Sequence, residues 1–156
     1  MASWQDNLDA EFARRAALFL SEAARAGIPL RVTSAWRSAA KQIALWNNRA
    51  NNPNPVAAPG TSKHERGLAI DAVPVGFTQS QVSSATWREL AAIAERCGLV
   101  AGLNFKKSDP VHFEMSASAA TSGAAMPPAQ TQNQTDSSNH LLLALAAVAV
   151  VVLILD

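Results

Sequence analysis

Beyond Lys107 the sequence has no lysine or arginine, and after Glu114 its only ionisable side chains are Asp136, His140 and Asp156. This break limits what the chain can fold into. Residues 116–140, which include "MPPAQTQNQTDSSN", are rich in Ala, Ser, Thr, Gln and Pro. They have too little large apolar surface to offset the entropy of ordering them, so they read as a flexible linker. Residues 141–155 are 15 apolar residues in succession with no polar face to turn toward water. A packed core with a polar surface must therefore come from residues 1–115, a length that suits one domain.

The tail is short for a membrane-spanning helix, which needs about 20 apolar residues and at least about 17. It reads as a membrane anchor that would require local thinning of the bilayer, with an interfacial or oligomerising tail as the alternative. No basic residue flanks it, so the sequence sets no orientation. The opening "MASWQDNLDAEFARR" places acids where a secretory signal would have a basic start and an apolar stretch, so no signal peptide is expected. Residues 1–115 hold all 13 basic residues against 10 acidic ones, a net of +3. That mild bias suits an anionic polymer such as a cell wall and falls well short of a nucleic-acid footprint. The lone Cys97 excludes an internal disulfide framework and a cysteine-rich zinc site.

Within the first 115 residues, Leu8, Phe12, Phe19 and Ala23 recur at helical spacing before Gly27, which predicts an amphipathic helix over residues 6–26. "LRVTS" predicts a short strand. "SAAKQIALWNN" predicts a second helix capped by Ser38, and "NNPNPVAAPGT" a loop. In "TWRELAAIAERCG" a single face carries Trp87, Leu90, Ile93, Ala94 and Cys97, which makes Cys97 a core residue rather than a nucleophile. "VHFEM" alternates as a strand, with Val111, Phe113 and Met115 on one side and His112 and Glu114 on the other. Trp36 and Trp46 are expected to fill the core, with lining of a cleft as the alternative, and His140 lies in the linker without a role. The fold class expected is α+β: a small antiparallel sheet flanked by helices around a cleft, with a C-terminal hydrophobic helix.

The candidate chemistry begins at "SKHERGLAID". If Gly67 turns the chain and residues 68–71 are extended, Leu68 and Ile70 face the core while Ala69 and Asp71 face a cleft that His64 also reaches. Alone, a histidine seven residues before an aspartate also reads as a hydrogen-bonded His and a solvated Asp. "SDPVHFE" adds His112 on a strand and Asp109 three residues before it. Two His and one Asp can hold zinc and leave a fourth position for water.

These motifs resemble those of the D-alanyl-D-alanine carboxypeptidase-like zinc peptidases, metallopeptidase family fifteen, which include phage endolysins that cut L-alanyl-D-glutamate bonds. "SKHERGLAIDA" is similar to the family's S-x-H-x-x-G-x-A-x-D motif, and "SDPVHFE" to its second motif. "TSAWRSAAKQIALW" is similar to an upstream segment and covers Ser34, Arg37, Ser38 and Gln42, with Ala35 and Trp36 standing where Gly and Tyr are usual. The resemblance implies that His64, Asp71 and His112 are zinc ligands and that Asp109 is the general base. It further implies that Arg37 stabilises the carbonyl oxygen as it gains charge, while Ser62 and Gln42 hold the peptide or support the site. Glu114 shares a face with His112 and is either a group that orients an imidazole or a solvated carboxylate. Aspartate at 109, where many carboxypeptidases of the family carry glutamate, favours the endopeptidase.

The expected function is zinc-dependent hydrolysis of stem-peptide bonds in peptidoglycan by a membrane-associated, endolysin-like enzyme, with L-alanyl-D-glutamate as the favoured bond. The alternatives are a D-Ala-D-Ala carboxypeptidase, a catalytically silent zinc-containing wall-binding module and a membrane-tethered structural protein. The peptidoglycan stem peptide is the expected partner, with the membrane engaged through the tail.

Overall fold

The structure, a computed structural model, describes residues 3–116. The linker, tail and C-terminal helix expected from sequence lie outside those residues. Among the described residues, no helix is long and apolar enough to cross a membrane.

Helix α1, Ala10–Arg25, starts later than the apolar spacing alone suggests. The Asp9 carboxylate accepts the backbone N–H groups of Glu11 and Phe12, both at 3.0 Å. That satisfies two of the donors a helix start leaves free, so the helix begins there. At its other end Gly27 takes φ +81°, Ile28 N–H donates to Ala23 O at 2.9 Å and Gly27 N–H to Ala24 O at 3.0 Å. This pair of bonds closes the last turn on a residue with no Cβ to clash.

Four strands follow: β1 (Leu30–Ser34), β2 (Ala69–Pro74), β3 (Leu99–Ala101) and β4 (His112–Met115). They form one antiparallel sheet in the order β1-β2-β4-β3. Helix α3, Ser84–Arg96, is capped by the Ser83 hydroxyl. Phe12, Phe19 and Ala23 from α1, Trp87, Leu90 and Ile93 from α3, and Ile70 and Phe113 from the sheet form a common core. Phe19 and Phe113 meet with ring centroids 4.5 Å apart. Helix α2, Ala39–Asn47, begins at Ser38, as its capping residue predicts.

Ala69 shares the face of Asp71, as alternation predicts: it pairs with Glu114 while Asp71 pairs with His112, and it is fully buried there. Strand β2 is paired on both edges, and of its residues only Asp71 is not fully enclosed. Two local expectations differ from the fold, those for Trp36 and Trp46. Trp36 is 42% exposed, and Trp46 is half-buried with the Arg49 guanidinium 4.2 Å from its ring centroid. Neither belongs to the core: Trp36 lies in the loop between β1 and α2, and Trp46 is on α2, which buries only Gln42. Strand β3 has three residues, too few for alternation to register.

The turn carrying His64 is braced from the N-terminus. Gly67 has φ +68°, Asp9 N–H donates to its carbonyl at 3.0 Å, and a Cβ at Gly67 would lie 2.6 Å from Asn7 O. Gly67→Ala therefore meets two costs, a left-handed backbone worth about 1–3 kcal/mol for a non-glycine residue and displacement of backbone atoms. Gly60, at φ +80° with nothing within 4 Å of its Cβ position, carries only the first. Thermal melting should show Gly67→Ala destabilised by several degrees more than Gly60→Ala. Equal melting temperatures would mean that the N-terminal brace yields without cost.

Candidate active site

Sheet register assembles the site. Asp71 pairs with His112 of β4 on one side and with Ser34 of β1 on the other, next to an irregularity between Val32 and Ser34. A slip of one residue would reverse every side chain of β2, so the register that buries Ile70 also presents Asp71 to the cleft. His64 arrives from the turn before β2. The Glu65 carboxylate accepts Gly60 N–H at 2.8 Å, the Ser62 hydroxyl accepts His64 N–H at 3.3 Å, and the His64 carbonyl accepts Arg37 N–H at 3.2 Å.

The three side chains converge on a small triangle. His64 Nε2 lies 3.1 Å from Asp71 Oδ1, His112 Nδ1 lies 3.2 Å from the same oxygen, and the two nitrogens are 3.3 Å apart. A tetrahedral ion with bonds of about 2.0–2.1 Å needs donor atoms roughly 3.3–3.4 Å from one another, so the triangle has the dimensions of one face of such a site. The remaining ring nitrogens are also occupied. His64 Nδ1 lies 2.7 Å from Ala35 O and His112 Nε2 lies 3.1 Å from Glu114 Oε2. A bond at the outer nitrogen fixes the tautomer and aims the inner lone pair, the arrangement that metal-binding imidazoles require. His64, Asp71 and His112 thus form a group that can hold a metal.

The electrostatics follow from the crowding. Burial pushes the Asp71 carboxyl up, but hydrogen bonds from His112 and His64 outweigh it and hold the group well below the usual carboxylate range. Burial pulls the His112 imidazole down, and its bonds to Asp71 and Glu114 override this and raise it to about 9. Asp109 is 8% exposed, and its Oδ1 has no hydrogen-bond partner. Burial, followed by the charge of Asp71, pushes its carboxyl up to about 6. Its backbone is tied to the site at both ends: Asp109 N–H donates to Gly102 O at 2.8 Å, and His112 N–H donates to Asp109 O at 3.1 Å.

Arg37 reaches the metal-ligand group from the segment between β1 and α2. Its guanidinium donates to Gln42 Oε1 and Ser34 Oγ, both at 3.0 Å, and to Asp71 Oδ2 at 3.3 Å, while its buried Nε–H has no acceptor. Gln42 is fully buried and spends its amide N–H on Ala57 O at 2.7 Å, so it holds Arg37 in place. Ser62 is buried at the cleft wall, where its hydroxyl supports the His64 backbone. The cleft has a volume of about 770 Å³ and is lined by Arg37, Ser62, His64, Asp71, Asp109 and His112 among others.

The sequence profile of the family described as VanY, D-alanyl-D-alanine carboxypeptidase, matches residues 5–118. The chain belongs to the VanY family. Membership makes it an enzyme of the peptidoglycan peptidase class. No curated protein matches the chain significantly. Among solved structures, a VanY D,D-pentapeptidase from a VanB-type vancomycin-resistance cassette, in complex with Zn(II), superposes with a TM-score of 0.55 at 23% identity, covering 73% of this chain and 76% of that one. The LD-carboxypeptidase LdcB gives 0.59 at 21%, covering 74% and 62%. The Serratia marcescens L-Ala D-Glu endopeptidase ChiX gives 0.51 at 24%, covering 70% and 81%. At these identities the likeness establishes a shared VanY-type fold, and both carboxypeptidases and an endopeptidase occur within it.

Some contributors are invisible to motif reading. The Ala35 and Ala57 carbonyls act through backbone that any residue supplies. Gly102 has an ordinary backbone, yet a Cβ there would lie 2.5 Å from Asp109 O and 3.1 Å from His112 Cβ. Its signal in the sequence, a glycine seven residues before Asp109, has meaning only once the turn is folded.

Proposed function

We propose that this VanY-family chain is a zinc-dependent peptidase that hydrolyses stem-peptide bonds of peptidoglycan, with the L-alanyl-D-glutamate bond as its preferred target. The observation that carries the zinc assignment is the triangle of His64 Nε2, Asp71 Oδ1 and His112 Nδ1, with both outer imidazole nitrogens already bonded. Zinc, when bound, polarises the scissile carbonyl and brings the pKa of water down to about 7. The remaining work falls to side chains. Asp109, which lines the cleft beside the ligand group, takes a proton from the attacking water and returns it to the leaving amine. The Arg37 guanidinium, at the cleft wall, stabilises the carbonyl oxygen as it gains charge. Gln42 and Ser34 keep the guanidinium rigid, so little reorganisation is needed at the moment of reaction. Glu114 aims the His112 ring.

The endopeptidase preference rests on aspartate rather than glutamate at position 109. Mass spectrometry of muropeptides after digestion tests it, because the new ends name the bond. Release of L-alanine-terminated glycan with a free D-glutamate amine is the expected result. Loss of a single terminal D-alanine would replace the endopeptidase with a carboxypeptidase, and intact muropeptides would leave a silent wall-binding module.

A further inference from the structure

The chain has four lysines, Lys41, Lys63, Lys106 and Lys107, and all four line the cleft, whereas of its nine arginines only Arg37 does. Surface lysines that serve only solubility would be scattered. Lys63 is accounted for, with its ammonium 3.8 Å from Glu114 Oε1. The ammonium groups of Lys41, Lys106 and Lys107 have no hydrogen-bond or ion-pair partner among the described residues. They reach the cleft from two separate segments: Lys41 from the first turn of α2, and Lys106 and Lys107 from the loop that leads to Asp109. The acids in the cleft do not neutralise them. Asp71 is engaged by two imidazoles and Arg37, and Glu114 by His112 and Lys63. Asp109 is buried with one oxygen unpaired.

We infer that Lys41, Lys106 and Lys107 form a carboxylate subsite that selects peptides bearing a free carboxylate next to the scissile bond. The inference builds on the peptidase reading and specifies its substrate. A stem peptide offers two such groups, the α-carboxylate of D-glutamate and the C-terminal carboxylate. The first lies beside an L-alanyl-D-glutamate bond and the second beside a terminal D-Ala bond, so the lysines would enforce whichever cleavage the enzyme performs. All three lysines are exposed. Each contact is therefore weak and screened by salt, and three together amount to about tenfold discrimination.

The test uses full-length, zinc-loaded protein and four synthetic stem peptides, with the D-glutamate α-carboxylate and the C-terminus each either free or amidated. Hydrolysis is measured for wild type and for the triple variant Lys41→Gln, Lys106→Gln, Lys107→Gln. Calorimetric binding of the same peptides to zinc-loaded Asp109→Asn protein, with and without the triple change, gives a readout that does not depend on turnover. Amidation at one of the two positions should weaken kcat/KM and binding by about tenfold, and the position affected names the carboxylate. The triple variant should lower this acid-over-amide ratio to about one, and raising ionic strength should do the same in wild type. Equal handling of acid and amide by wild type, or a preference that survives the triple change, overturns the subsite. Turnover without preference would remove the subsite and leave the peptidase; preference in binding without any turnover would do the reverse.

Discussion

His64→Ala and His112→Ala proteins should each purify with almost no zinc and lose activity by a factor on the order of 10³ or more, since the ion supplies both the activated water and the carbonyl polarisation. Each change removes one corner of a triangle whose sides measure 3.1, 3.2 and 3.3 Å. Two remaining donors do not close a tetrahedral site. The fold should survive, because neither imidazole belongs to the hydrophobic core. Metal analysis of purified protein, with stem-peptide hydrolysis and thermal melting in parallel, checks all three expectations. Wild-type protein stripped of metal that still cleaves at full rate would sink the assignment.

Asp109→Asn should separate the metal from the chemistry. Asp109 contributes no atom to the ligand triangle, so the variant should hold one zinc per chain, yet turn over roughly 10²–10⁴-fold more slowly for want of a proton acceptor. The pH dependence follows from the same group. Burial, then the charge of Asp71, raises the Asp109 carboxyl to about 6. Only the deprotonated form accepts a proton, so wild-type activity should climb with pH and level off above the titration. A cation at the ligand group favours the carboxylate, which places this acid limb at or below about 6, and the variant should lack it. The stability consequence has the opposite sign. A carboxyl raised above its unfolded value of about 3.9 adds stability that is complete at low pH and lost as pH rises through about 6. Metal-free Asp109→Asn should therefore be the more stable protein at pH 8, by an amount on the order of 2 kcal/mol. Near-normal turnover in this variant would move the general base elsewhere, with Glu114 the next candidate. A variant that is slow, zinc-loaded and more stable without metal would mark Asp109 as a residue whose burial costs stability and serves catalysis.

What could be read from the sequence was carried by near neighbours along the chain. The helical spacing of Phe12, Phe19 and Ala23, the caps at Ser38 and Ser83, and the alternation around His112 depend on residues within a few positions of one another, so the elements were visible before folding. Motif spacing likewise singled out His64, Asp71, Asp109 and His112, because a metal site with a nearby acid restricts residue type at each position. The tertiary structure decided how those residues meet. Which nitrogen of His64 faces inward depends on the Ala35 carbonyl, 29 positions away, and the opening left at Asp71 depends on β2 having strands on both edges. Alternation along β4 put Glu114 on the face of His112 and left two roles open for it; its bond to His112 Nε2 in the folded strand decides for the one that orients the imidazole. Trp36 and Trp46 looked like core residues by type and stayed outside the core, because hydropathy measures what burial would gain, whereas the placement of α2 and the loop before it determines whether a place in the core exists. The gathering of all four lysines around one cleft also appears only in three dimensions, since β2, α3 and β3 lie between Lys41 and Lys106 along the chain.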